Sequence, residues 1–294
     1  MTEKSLTDTF LTMLEYIDSD PIIAGEIFHT VEEAPESSER DGLMALLLHE
    51  GIGTPVDLEK SFEYAEKAID SGGDACGYYV LGAMCDHAET PDQAEGGPRQ
   101  KYDHYDAEHF YELCAKKEGP WKRYACNWLG DHFLNMARGG DPEIGVEYLE
   151  QIAGEDAEAA GKLSDYYWDI VMPDYTDDTE RNEALFRWTK KATELDEEDE
   201  EYLYRLGWLY ADGIGCKASF WLALKYFGLS FFTGDWRGAE SIANLLEEKL
   251  DEGHDLTPEE EAEFRSDIEK WRKRATAMRE EEDAEEPDAT IEED

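Results

Sequence analysis

The sequence predicts an all-α fold: a solenoid of about five to six helix-turn-helix repeats between capping helices. Three observations lead there. Segments of the chain repeat one another, apolar residues recur at helical spacing, and no stretch alternates apolar and polar residues between turn signals as a strand would. The composition supplies a core, with 41% hydrophobic residues and 8 Trp, 16 Tyr and 11 Phe among 294. A chain so rich in aromatics can bury enough surface to fold despite its charge.

Residues 1–40 read as an N-terminal helical cap. Leu6, Phe10, Leu14 and Ile17 share one helical face, and Asp20 is placed to cap a second helix that opens with Pro21. Ile23, Ile27, Phe28 and Val31 line that second helix. Residues 32–41 read as an acidic linker.

The repeats occupy residues 41–250. Met44-Ala45-Leu46-Leu47-Leu48-His49-Glu50-Gly51-Ile52-Gly53 aligns with Leu206-Gly207-Trp208-Leu209-Tyr210-Ala211-Asp212-Gly213-Ile214-Gly215, and a helical segment follows each, at 58–71 and 219–232. Weaker copies start at Leu81-Gly82, Leu129-Gly130, Leu163-Ser164 and Ala243-Asn244. Their second helices are expected at 107–116, 146–153 and 184–192, and the last copy leads into the C-terminal segment. The small residue of the frame (Ala45, Gly82, Gly130, Ser164, Gly207, Asn244) recurs at intervals of 37, 48, 34, 43 and 37 residues. A missing side chain at that position lets the two helices of a hairpin cross closely.

This pattern of a Leu-Gly pair, an aromatic three residues on, a Gly-x-Gly turn and a Lys/Ala-rich second helix resembles the Sel1-like repeat (SLR), a relative of the tetratricopeptide repeat. The resemblance covers roughly residues 40–250. It implies a right-handed α-α superhelix whose first helices line a concave groove, and adaptor work, mostly in bacteria, without intrinsic catalysis.

After the repeats, residues 251–279 read as a C-terminal capping helix. Thr257-Pro258-Glu259-Glu260 is a capping box, and Phe264, Ile268, Trp271, Ala275 and Met278 form one apolar face. Residues 280–294 read as an acidic disordered tail.

The charge excludes several functions. With 73 Asp+Glu against 27 Lys+Arg the net charge is −46, which disfavours phosphate backbones and anionic lipid surfaces alike. No apolar run approaches the roughly 20 residues of a membrane helix. The N-terminus lacks the basic start of a secretory signal, and Cys76, Cys85, Cys114, Cys126 and Cys216 show no CxxC spacing. The expectation is a cytoplasmic protein with reduced cysteines. Capped array ends point to a monomer.

Catalytic and metal signals are thin. His87, His104, His109, Cys85 and Cys114 surround an insertion at 88–105, but zinc ligands normally come in tight pairs, and both cysteines fall at core positions. Gly51-Ile52-Gly53 lacks the strand, third glycine and Lys-Ser/Thr of a phosphate loop. The acidic run from Glu194 to Glu201 fits a solvated helix start, where the helix dipole favours negative charge. No catalytic residue, metal or cofactor is assigned.

What the sequence offers instead is a recognition surface. The non-core positions of the first helices give Tyr79, Asp86, His87, Asn127, Asp131, Asp165, Trp168, Asp169, Tyr204, Trp208 and Asp212. Carboxylates that steer and pair with Lys or Arg, beside aromatics that anchor, suit a basic protein or peptide. The expected function is a non-catalytic protein–protein interaction scaffold. The alternatives are an immunity- or antitoxin-like inhibitor of a basic effector, and a nucleic-acid mimic. The competing reading of the aromatics is that they pack between neighbouring hairpins.

Overall fold

The computed structural model describes residues 5–17, 21–87, 102, 105–135, 140–173, 178–252 and 256–285. Among them every regular element is an α-helix. The chain divides into two compact units, residues 1–148 and 149–294.

The first unit opens with α1 (Leu6–Leu14) and α2 (Pro21–Glu32). Ser5 and Asp8 close a capping box on α1, and α1 buries Phe10 while α2 buries Ile27 and Val31. Hairpins α3 (Ser38–Glu50)/α4 (Leu58–Gly72) and α5 (Ala75–Asp86)/α6 (Asp106–Ala115) follow, then α7 (Pro120–Leu134) and the start of α8 (Pro142–Glu150). The linker is shorter than its composition suggests. Ser37 caps α3 by accepting from the Arg40 amide, so 38–41 are already helical. Asp41 is buried there because Arg40, at 3.2 Å, and Lys67, at 3.0 Å, compensate its charge. The proposed cap at Asp20 lies outside the described residues.

The second unit comprises α9 (Ala157–Val171)/α10 (Thr179–Leu195), α11 (Glu200–Asp212)/α12 (Phe220–Thr233) and α13 (Trp236–Asp251)/α14 (Pro258–Glu285). The Thr257 box forms as read: its amide donates to Glu260 Oε2 at 2.8 Å, and the Glu260 amide donates back to Thr257 Oγ1 at 3.3 Å. The helix runs on to Glu285, past the onset of the acidic composition at Glu280. Residues 286–294 lie outside the described residues, as does most of the insertion (88–101, 103 and 104).

Part of the acidity serves helix starts. Asp74, Asp156, Asp199 and Asp235 each accept backbone amides at the N-terminus of a first helix, and Asp57 and Asp178 do so for second helices. Such a cap contributes about 1 kcal/mol.

The two close copies share one turn. Ile52 N donates to Leu47 O at 3.0 Å and Asp57 N to Leu48 O at 2.9 Å; Ile214 N donates to Leu209 O at 3.0 Å and Ser219 N to Tyr210 O at 2.8 Å. Gly53 (φ 70°) and Gly215 (φ 65°) hold the left-handed conformation, and a Cβ on either would fall on a backbone carbonyl of the preceding second helix, Ala24 or Asn182. Both constraints demand glycine.

The small frame residue sits at the helix crossing in five copies. A Cβ on Gly82 would lie 3.0 Å from the Tyr111 ring, and one on Gly207 2.6 Å from Phe227. Ser61 Oγ donates to Ala45 O at 2.7 Å, and Ser164 Oγ lies 2.8 Å from Thr189 Oγ1. In the third copy the Gly130 carbonyl meets Gly145. The sixth copy departs from the frame: Asn244 is exposed, and α13 buries Gly238, Ala239, Ile242, Ala243 and Leu246 instead.

Candidate recognition surface

Each first helix carries the eleven proposed residues at fixed offsets from its frame residue, and their environments sort by offset. Three residues before the frame stand Tyr79, Asn127 and Tyr204. The two tyrosines pack against the second helix of their own hairpin and the first helix of the next. Tyr79 stacks on Trp121 of α7 at 5.6 Å and approaches Tyr111 of α6 at 6.1 Å. Burial pushes its phenol up to about 12. Tyr204 packs on Phe227 at 5.7 Å. Asn127, in the same position of α7, is buried. The expectation that Asn127 faces a partner is corrected: neighbouring helices cover that side of the first helix.

On the far side of the frame the carboxylates reach solvent. Asp86, Asp131, Asp169 and Asp212 are exposed, and so is His87. His87 Nε2 stands 3.9 Å from Asp86 Oδ2. Asp86 also accepts the indole N–H of Trp128 at 3.0 Å. Trp128, on α7, lies between Tyr111 (4.4 Å) and His132 (4.8 Å, planes 10° apart), and His132 Nε2 sits 3.3 Å from Glu108. A Trp128→Phe substitution keeps a ring in the stack but removes the indole N–H together with part of the ring area. The hydrogen bond should account for about 1 kcal/mol of the loss in denaturant unfolding, and an Asp86→Ala background should reduce the difference by that amount.

In the second unit the same geometry appears with the chemistry inverted. Arg205, on α11, holds the position that Trp128 holds on α7, two residues before the frame glycine. Its guanidinium lies 4.9 Å over Trp168 and 5.6 Å over Tyr202, and donates to Asp165 at 2.5 Å and to Glu201 at 2.7 Å. Glu201 also accepts from Arg237 at 2.6 Å, and Arg237 covers Tyr204 at 4.7 Å and binds buried Asp235 at 2.9 Å. A ladder of alternating charge therefore joins α9, α11 and α13. Burial on its own would raise the Glu201 carboxyl, but hydrogen bonds from Arg237 and Arg205 outweigh it and hold the group below its usual range. Glu201 is therefore not the solvated member of a helix start that the acidic run suggests. Trp168 and Trp208 meet edge to face at 6.2 Å, both half-buried, so these aromatics pack between neighbouring hairpins as well as edging the surface.

Trp128, Tyr111, Glu201, Arg205 and Arg237 were not among the residues read as a surface. The signal was available: Trp128 and Arg205 share the offset of minus two, next to the offset of minus three that was chosen.

Of the mixed cysteines and histidines around the insertion, Cys85 and Cys114 are buried, and Cys114 Sγ donates to Ala75 O at 3.3 Å. Among the described residues no group of three or more His, Cys, Asp or Glu side chains is placed to hold a metal ion. No helix among them is long and apolar enough to cross a membrane.

Comparison with known proteins agrees with this architecture. The Sel1 repeat signature matches residues 43–73 and 201–230, the two copies with the shared glycine turn. No curated protein matches the sequence. Among solved structures, the protective antigen c5321 of uropathogenic Escherichia coli, which displays an SLR fold, is similar at 18% identity with a TM-score of 0.56. The match takes in 90% of this chain and 54% of that one, so this chain spans about half its length. A Sel1 repeat protein from Oxalobacter formigenes is similar at 15% identity and a TM-score of 0.50, over 89% of this chain and 96% of that one.

Proposed function

From the two Sel1 repeats at 43–73 and 201–230 we propose that this chain is a non-catalytic scaffold whose first-helix faces bind a basic protein or peptide. The observation that carries this reading is the seat of Arg205. With its own arginine the protein holds a guanidinium between the Trp168 and Tyr202 rings and the Asp165 and Glu201 carboxylates. Aromatic faces and carboxylates together are the chemistry that recognises Lys and Arg.

Asp165 and Trp168 are committed to that internal seat, so the groups that meet a partner are the exposed carboxylates, Asp169 and Asp212 on the second unit and, separately, Asp86 and Asp131 on the first. Half-buried Trp208, beside Trp168, supplies an adjoining aromatic edge. The net charge of −46 steers a basic partner toward these helix faces from a distance.

The test is capture from the native cell extract at low salt, comparing the intact chain with Asp131→Lys/Asp169→Lys/Asp212→Lys. A basic protein held by the intact chain, lost by the triple variant and released by about 0.5 M salt is the expected result. Equal capture by both chains, or capture indifferent to salt, would refute the reading.

A further inference from the structure

The second helix of the fifth repeat breaks the charge pattern of the whole chain. Between Asp212 and Asp235 lie 22 residues without a single Asp or Glu, the longest acid-free run in a sequence where 73 of 294 residues are acidic. α12 fills most of it.

The first repeat serves as an internal control. Its turn superposes in hydrogen bonding on that of the fifth, and Gly51 and Gly53 correspond to Gly213 and Gly215. Up to Asp70, the positions exposed on α4 are Glu59, Lys60, Glu63, Lys67 and Asp70. The corresponding positions on α12 are equally exposed, but they carry Trp221, Leu222, Lys225, Leu229 and Phe232. Trp221 and Phe232 are 75% and 76% exposed. The repeat therefore tolerates charge at all five of these sites, and the fifth copy replaces four of the five charges with large apolar groups. A helix that is apolar around its whole circumference belongs under cover, and a contiguous exposed patch of this kind marks an association site.

Beside this ridge lies a trough of about 420 Å³ between α12 and α14, floored by Ile242 and Leu246 and walled by Phe264 and Trp271. It extends the apolar surface beyond one helix, toward the roughly 800 Å² per partner that a stable interface takes.

We propose that the outer face of α12 is a two-fold interface between two copies of this chain. Charge is the first argument. Each copy carries −46, so contact through an acidic face would set like charges against each other, whereas the acid-free run brings none. Self-complementarity is the second. A two-fold axis places a surface against itself. Pairing α12 antiparallel about the midpoint between residues 226 and 227 sets Trp221 opposite Phe232 and Lys225 opposite Gly228. The lysine then has room, since a Cβ on Gly228 would find nothing within 4 Å. The acidic segment 286–294 holds one large apolar residue, Ile291, too little to cover the ridge. The expectation of a monomer rested on capped array ends, and α12 belongs to neither end.

The experiment is light scattering on the full chain at about 100 µM, at about 0.05 and 0.5 M salt, beside Trp221→Glu/Phe232→Asp. That variant installs the residues of the first repeat at exposed positions, so its circular dichroism and melting should match those of the intact chain. The intact chain should show twice its 33.6 kDa mass. The dimer fraction should rise with salt, because screening weakens the repulsion between two acidic chains and leaves apolar burial intact. The variant should stay at 33.6 kDa in both conditions. An intact chain that is monomeric in both salts, or a variant that dimerises as well, overturns the proposal; the first outcome would leave the face to a different protein. Salt acts here opposite to its effect on a basic partner, so failure of either reading is visible separately.

Discussion

Gly215→Ala should lower the melting point of the second unit by about 10 °C. The residue holds φ 65°, and a Cβ would land on the Asn182 carbonyl of α10. The left-handed backbone costs an L-residue about 1–2 kcal/mol, and relieving a contact with main chain costs a further 1–3 kcal/mol or so. The total of about 3 kcal/mol converts at some 2–4 °C per kcal/mol for a body of this size. Gly53→Ala should exact a matching loss from the first unit, where the obstructing group is the Ala24 carbonyl of α2. Gly25→Ala, also on α2 but with open space where its Cβ would go, should instead stabilise by about 0.5–1 kcal/mol. Calorimetry of the three variants checks all of this. Equal behaviour of Gly53 and Gly25 would show that the turn does not dock as described.

The second large effect is expected from Arg205→Ala. The side chain is 13% exposed and joins two carboxylates and two rings. Removing it strands Asp165 and Glu201 beside each other and opens the contact between α9 and α11. Losing one partner of a fully buried pair costs about 3–5 kcal/mol. Asp165 and Glu201 keep 50% and 37% of their side-chain surface in solvent, so screening reduces the expected loss to about 2–3 kcal/mol. The pH dependence separates this from lost packing. The folded-state pKa of Glu201 is depressed. Its contribution is therefore complete above the unfolded value of about 4.3 and disappears as the pH falls through the lower folded value. Glu201→Gln should remove that component, so the stability difference between it and the intact chain should shrink between about pH 5 and pH 3. A difference constant over that interval would rule out the ion pairs as its source.

The fold was legible because its determinants are local. The glycine turns of two copies follow from a left-handed backbone and a close approach to the helix before them, and the small frame residue follows from a steric demand within one hairpin that five of six copies obey. The sixth does not, since α14 is long enough to pack along α13 and needs no close crossing at Asn244. The surface was less legible. The offset of minus three looks like solvent on one hairpin taken alone, and becomes interior only when the next hairpin supplies Trp121 against Tyr79 or Arg237 against Tyr204. Arg205 was passed over for a related reason. A basic residue in so acidic a chain reads as a surface counterion, and its role appears only once α9 brings Asp165 and Trp168 from 37 to 40 positions away in sequence. Composition likewise concealed α12, whose apolar residues look like core until the exposed side of the hairpin is identified.

The docking of Gly53 and Gly215 on carbonyl oxygens has an implication for how such a chain changes over evolutionary time. A carbonyl is the same in every residue, so the helix underneath is recognised without regard to which side chains it carries, alanine in one case and asparagine in the other. A hairpin that brings its own glycine turn can therefore be copied, inserted or lost without matching substitutions in its neighbour. Repeat number can drift while the outer residues of each copy diverge freely, which is how two copies with one turn come to present charges at 59–70 and aromatics at 221–232.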